Sequence, residues 1–165
     1  QDDWETPDTQ VIDLEFANNT LISWEGRSCN GKSTEGSSVG VIFYGETGSL
    51  LIESGNSYKI FDTRSRLIKE VKNDITANAL DRTGPGMELD ALHIQNFFDA
   101  IKRGTKLNSD ILSGHQSTLL VQLGNISQRT GRALKIDPSN GHILNDKEAS
   151  KLWSREYEKG WEPKI

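Results

Sequence analysis

The sequence predicts an α+β domain: a large, open, mainly antiparallel sheet of six or more strands, with two main helices packed on one of its faces. Three observations lead there. Residues 1–71 alternate apolar and polar side chains with period two and are cut by turn signals at short intervals. Residues 73–87 carry Asp-rich and Gly-Pro-Gly signals without a period, and from Leu92 onward the apolar spacing lengthens to that of a helix. Strands first and helices afterwards place the helices on one face of the sheet. The short connections demand antiparallel neighbours, because parallel pairing needs long crossovers.

In order along the chain, residues 11–17 put Ile12, Leu14 and Phe16 on one face and Val11, Asp13 and Glu15 on the other. Asn18-Asn19 turns the chain into a strand over 21–25, and a Gly/Ser-rich loop occupies 26–38. Strands follow over 39–44 and 49–53, separated by Gly45-Glu46-Thr47-Gly48, then over 58–61 and 66–71. The first helix carries Leu92, Ile94, Phe97, Phe98 and Ile101 as its inward stripe and stops at Gly104. The second starts at the cap Ser109-Asp110, turns Leu119, Leu120, Leu123 and Ile126 inward, and ends at Gly131. One more strand is expected over 133–136, then a turn over 137–141. Asp146 caps a short helix containing Ala149 and Leu152, and an aromatic, charged tail lies along the surface.

A chain of 165 residues fits one domain, 1–165, and buries roughly 70% of the surface its unfolded form exposes, enough for a core without staples. With 24 acids against 19 bases the net charge is −5, and no basic block stands out, which excludes nucleic acid and an anionic membrane surface as expected partners. Cys29 is the single cysteine, so an internal disulfide or a cysteine-built zinc cluster is out of reach. No run approaches the roughly 20 apolar residues of a membrane span, and no signal peptide is visible. The opening Gln1-Asp2-Asp3-Trp4 fits a processed chain or a fragment.

Several motifs tempt. Gly26-Arg27-Ser28-Cys29-Asn30-Gly31-Lys32-Ser33 satisfies the phosphate-loop pattern G-x-x-x-x-G-K-[ST], whose backbone N–H groups and Lys would cradle phosphates. That function needs a helix starting at Lys32, whereas Thr34-Glu35-Gly36-Ser37-Ser38 reads as loop, so a flexible hairpin connection is expected instead. Gly36-Ser37-Ser38-Val39-Gly40 fits the nucleophile-elbow pattern but precedes a strand rather than a helix. Gly84-Pro85-Gly86 fails as a dinucleotide fingerprint because Leu89 stands at its last position. His93, His115 and His142 lack a second ligand at helical spacing, which argues against a local zinc site and for structural histidines. Trp24, Trp153 and Trp161 are the size to stack on sugar rings, although core or interface roles are commoner. Asn18-Asn19-Thr20 and Asn125-Ile126-Ser127 fit the glycosylation pattern without persuading. From residues alone no catalytic constellation emerges.

A resemblance adds to this. Pro7-Asp8-Thr9-Gln10, Trp24-Glu25-Gly26-Arg27, Gly40-Val41-Ile42-Phe43-Tyr44-Gly45 with Gly48, the run from His93 to Ile101, Gly114-His115-Gln116-Ser117 and Leu123-Gly124-Asn125-Ile126 occur in the order seen in the C-terminal half of bacterial-type Gfo/Idh/MocA oxidoreductases. Gly131-Arg132, Asp137-Pro138, Asp146, Glu148-Ala149 and the Trp161 region continue the likeness. The chain therefore resembles the C-terminal, dihydrodipicolinate-reductase-like domain of that family. The resemblance implies a parent enzyme that uses NAD or NADP to oxidise or reduce a sugar or cyclitol hydroxyl. This chain would be its substrate-binding and oligomerisation domain. The N-terminal Rossmann domain, its dinucleotide loop, the catalytic Lys and the catalytic His would lie outside it. The implied partners are that Rossmann domain, a sugar-like molecule and further copies through the sheet face, in a bacterial cytoplasm or periplasm. No cofactor, metal or catalytic residue is expected within the chain itself. Arg27 and Asn30 on the long loop, with His93 and His115, are the candidate substrate-binding residues; Arg27 is suited to fork onto a hydroxyl pair or a carboxylate. A NAD-dependent glycosidase of the same family and a free-standing carbohydrate-binding or interaction module are the alternatives.

Overall fold

The computed structural model describes residues 6–53, 57–72 and 85–162, of which 85–89 are described by backbone alone. The elements run β1 (Thr9–Glu15), β2 (Leu21–Arg27), β3 (Gly40–Gly45), β4 (Gly48–Glu53), β5 (Tyr58–Asp62), β6 (Leu67–Val71), α1 (Pro85–Arg103), α2 (Ile111–Thr130), β7 (Lys135–Ile136), β8 (Ile143–Leu144) and α3 (Lys147–Lys151). Every strand pairing is antiparallel. The fold is α+β, as expected. The expected single sheet of six strands is corrected: β1–β2 form a two-stranded sheet, β3-β4-β5-β6 a four-stranded one, and β7–β8 a two-stranded ribbon. The physical reason lies in the connections. A tight turn dictates register between neighbours, but the chain between β2 and β3 runs over residues 28–39 and is bridged onto itself by Thr34 and Ser37. The chain forms two compact units, Gln1–Arg27 with Ser109–Ile165, and Ser28–Asn108.

In the first unit the β1–β2 hairpin turns at Asn18-Asn19, where Asn19 takes φ 63° and Asn18 Oδ1 accepts from Thr20 N. Asn and Asp tolerate that left-handed conformation better than other residues with side chains. Along β1, Gln10, Ile12 and Leu14 are half-buried while Val11, Asp13 and Glu15 are exposed, the alternation of a strand with one covered face. Gly124 on α2 sits against the side chain of Ile12, where a Cβ would have no room. Asp110 Oδ1 accepts from Ser113 N at 2.9 Å and caps the start of α2. Gly131, at φ 66°, ends the helix in the left-handed conformation that glycine adopts without steric cost. The core gathers Leu123 and Ile126 of α2 with Ile143 and Ala149, ringed by Leu119, Leu134, Ile136 and Trp153.

Arg132, just beyond α2, holds that core closed. Its Nε and Nη2 donate to Asp146 at 2.7 and 2.9 Å, and Nη2 donates to Glu148 at 2.8 Å. Asp146 also caps α3 by accepting from Ala149 N at 3.0 Å. The Arg132 guanidinium, followed by that backbone donor, pulls the Asp146 carboxyl down to about 2.

In the second unit the register assigns each strand residue to a face. Val41 and Phe43, Leu50 and Ile52, Tyr58 and Ile60, and Val71 share one face with Lys69 and, at its end, Asp62. Ile42 and Tyr44, Ser49, Leu51 and Glu53, Lys59 and Phe61, and Glu70 share the other. Gly48 lets the β4 backbone pass against the Phe61 carbonyl, where a Cβ would clash. Asp62 fixes the turn into β6 by accepting from Arg64 N, Arg66 N and Arg66 Nε.

Two further expectations are corrected here. Residues 85–87 were expected in a loop, yet α1 begins at Pro85, whose fixed φ and missing N–H suit a first helical position; the rest of that expected loop, 73–84, lies outside the described residues. The expected inward stripe of α1 is solvent-exposed: Leu92, Ile94, Phe97, Phe98 and Ile101 are each about half exposed or more. Over residues 90–103 what the fold shades on this helix is Asn96, Asp99 and Ala100. Asn96 donates to Lys106 O and accepts from Asn108 N, tying down the chain after Gly104. The strand expected over 133–136 is shorter, and it pairs with β8, a partner that was not expected.

Ile126→Ala, at a position only 6% exposed, is expected to cost about 2–5 kcal/mol in urea unfolding. Ile111→Ala, at a position 89% exposed, should stay within about 0.5 kcal/mol. The carboxyl of Asp146 is held below the usual aspartate value of about 3.9, so its contribution is present above that pH and is lost as pH falls toward about 2. Hydrogen exchange in α3 should rise over that window, and Asp146→Asn should flatten the dependence.

Candidate functional site

Arg27 ends β2, partly exposed, with its Nε 3.0 Å from Glu25 Oε1 two residues back on the same strand face. Asn30 is exposed in the following loop, where its Oδ1 accepts from Lys32 N at 2.9 Å. His93 lies exposed on α1 and His115 exposed near the start of α2. Arg27 and His115 belong to the first unit, Asn30 and His93 to the second.

The chemistry-bearing motifs resolve into ordinary structure. No helix starts at Lys32: the chain instead closes the Thr34–Ser37 bridge through paired backbone hydrogen bonds of 3.0 Å. A phosphate loop needs its N–H groups convergent at a helix N-terminus, and that geometry is missing here. Ser37 Oγ donates to Val39 O at 2.7 Å and precedes a strand, so it is no exposed nucleophile on a strand-to-helix elbow. Among the described residues no group of three or more His, Cys, Asp or Glu side chains has metal-site geometry. His142, itself exposed, stacks on Trp153 at 4.3 Å between ring centres, while Trp153 Nε1 donates to Gly141 O and the indole packs against the core. Trp24 and Trp161 are exposed, at 50% and 80%.

Sequence reasoning missed a cluster on the second sheet. Lys59 Nζ donates to Glu53 Oε1 at 2.6 Å and lies 4.0 Å from Glu70 Oε1, with Lys72 3.6 Å from the other Glu70 oxygen. The hydrogen bond to Glu53 is the largest influence on the ammonium and raises its pKa, against a smaller desolvation effect. Lys59 is therefore a fixed cation at neutral pH, suited to donating hydrogen bonds and unsuited to acting as a base or forming an imine. Glu53 and Glu70 keep acceptor capacity on either side of it. Period-two alternation alone would have put each residue on some face, but only the pairing of β4, β5 and β6 puts all three on the same one.

Residues 37–163 match the family described as "Oxidoreductase family, C-terminal alpha/beta domain", that of the Gfo/Idh/MocA enzymes. The chain belongs to that family. Comparison with curated proteins and with solved structures gave no match. The part matching the Gfo/Idh/MocA domain runs from just before β3 to beyond α3 and includes His93, His115 and the Glu53–Lys59–Glu70 cluster; the β1–β2 hairpin with Arg27, and Asn30, fall outside it. Among the described residues no helix is long and apolar enough to cross a membrane. Titrating the chain with ATP and magnesium is expected to give no saturable heat, and Lys32→Ala should change nothing; binding abolished by that substitution would restore the phosphate-loop reading.

Proposed function

We propose that this Gfo/Idh/MocA domain shapes the substrate pocket and the subunit contacts of an NAD(P)-dependent sugar or cyclitol oxidoreductase whose dinucleotide site lies in a separate N-terminal domain. The observation that carries this reading is the two-faced sheet β3–β6. One face is mainly apolar: Val41, Phe43, Leu50, Ile52, Tyr58, Ile60 and Val71 share it with Lys69 and, at its end, Asp62, and Val41 and Phe43 are about half exposed. An apolar sheet face of that kind suits a second protein surface. The other face carries Lys59 between two carboxylates, next to Phe61 and with Tyr44 in the same row as Phe61.

Alternating donors and acceptors beside an aromatic ring suit a neutral polyhydroxylated molecule. An anion would meet the two carboxylates, and a cation would meet the ammonium. On this reading the charged face turns toward the ligand and the apolar face toward a second copy. Arg27, Asn30, His93 and His115 are then secondary contacts, each one exposed or partly so. The hydride acceptor and the proton-transfer groups come from the N-terminal domain, and the chain alone holds neither.

Light scattering over a concentration series is expected to give a dimer or larger, and Phe43→Asp to give a monomer with an unchanged circular dichroism spectrum. A wild-type monomer at high concentration would remove the self-association half of the proposal. Calorimetry with NAD(H) and NADP(H) should be silent for the chain alone. When the chain is joined to the dinucleotide-binding domain encoded upstream, sugar-dependent NAD(P) reduction should appear, and Lys59→Met should raise KM more than it lowers kcat. A parent that turns over sugars with Lys59→Met unaffected would exclude the charged face as the ligand side.

A further inference from the structure

The sequence contains two Asn-Gly steps, Asn30-Gly31 and Asn140-Gly141, and the structure treats them oppositely. In such a step the glycine backbone nitrogen can attack the asparagine Cγ, since no Cβ obstructs the approach. The attack needs three things: a glycine N–H able to give up its proton, an amide side chain able to swing onto that nitrogen, and an Nδ2 able to leave.

At Asn140 all three are restrained. Gly141 N–H donates to Asp137 O at 2.8 Å, so its proton is held. Asn140 Nδ2 donates to Asp137 Oδ2 at 3.1 Å, which holds the amide nitrogen that would have to leave and keeps the side chain from swinging. Gly141 is further fixed by Trp153 Nε1 on its carbonyl and by the Leu119 side chain where a Cβ would stand.

At Asn30 the holds on the glycine N–H and on Nδ2 are missing. The residue is exposed, and Gly31 has open space around the position of a Cβ. Among the described residues none accepts from Gly31 N–H or from Asn30 Nδ2. The one hydrogen bond the side chain makes, Lys32 N to Oδ1 at 2.9 Å, goes to the carbonyl oxygen. Asn140 Oδ1 accepts the equivalent bond from His142 N, so what separates the two steps is the hold on Gly141 N–H and on Asn140 Nδ2.

We propose that Asn30 is a site of spontaneous deamidation in the folded protein and that Asn140 is protected from it by its turn. Hydroxide from solvent takes the Gly31 amide proton; the N–Cγ bond forms and the Cγ–Nδ2 bond breaks, releasing ammonia and leaving a succinimide. Water then opens the ring at one carbonyl to give aspartate or at the other to give isoaspartate. No oxidant or reductant takes part. The product carries one more negative charge beside Lys32, and the isoaspartyl form adds a methylene to the loop backbone. This inference does not depend on Asn30 touching substrate.

The test is incubation of the whole chain in mildly alkaline buffer, with conversion at each step followed by peptide mapping and by hydroxylamine cleavage of the succinimide. In the folded protein Asn30 should convert at least about tenfold faster than Asn140, a gap of about 1.4 kcal/mol in activation free energy. In concentrated urea the two rates should converge. Asp137→Ala should accelerate Asn140 and leave Asn30 unchanged, while Asn30→Gln should remove the fast site. Equal rates in the folded chain, or a faster Asn140, would overturn the proposal.

Discussion

A β-sheet is stable in water only where something covers the apolar face it creates, and that constraint explains most of what this chain does and leaves undone. The first unit meets it internally. The inward row of β1 has α2 against it at Gly124, and Leu123 and Ile126 are sealed by Ile143 and Ala149. In the second unit Leu51 is buried at 6%, whereas Val41 and Phe43 and the stripe of α1 stay about half exposed or more. At roughly 25 cal/mol for each Å² removed from water, exposed aromatic and aliphatic side chains in such number are the strongest driving force left in the chain for association.

The two ionic clusters differ in what they accomplish. Arg132 forks onto Asp146 while Asp146 caps α3, so one carboxylate satisfies a guanidinium and a helix terminus together. That geometry joins the end of α2 to the start of α3 and explains why so short a helix is held in place. Lys59 and its two carboxylates cross strands that the backbone already pairs, so they add little to the sheet's own cohesion. Their effect is to put a cluster of charge on one face of the sheet and to favour the ammonium's charged form.

Much of the fold was legible in the sequence because its signals are local. Asn18-Asn19, Asp110, Gly131 and Asp146 each do a job decided within a turn or two of chain, and each was placed correctly. Pro85 was misread because the Gly-Pro-Gly context looked like a loop, although proline is well suited to a first helical turn. Sheet membership was not legible, since hairpin signals say which strands are neighbours and nothing about whether the β1–β2 pair continues into β3. The cover of α1 was misjudged for a related reason: periodicity identifies the apolar side of a helix without saying what lies against it.

The candidate site was the least legible part, and the reason is chemical as much as geometric. Arg27, Asn30, His93 and His115 were chosen by residue type, and type alone cannot gather residues into one place. Glu53, Lys59 and Glu70 carried no motif, and their juxtaposition exists only through the pairing of three strands. The same dependence on context separates Asn30 from Asn140, two identical dipeptides. One is held by Asp137, His142 and Trp153, and the other is left on an open loop. In this domain, reactivity and binding capacity follow from which groups the backbone restrains, and residue identity sets only the range of what each group can do.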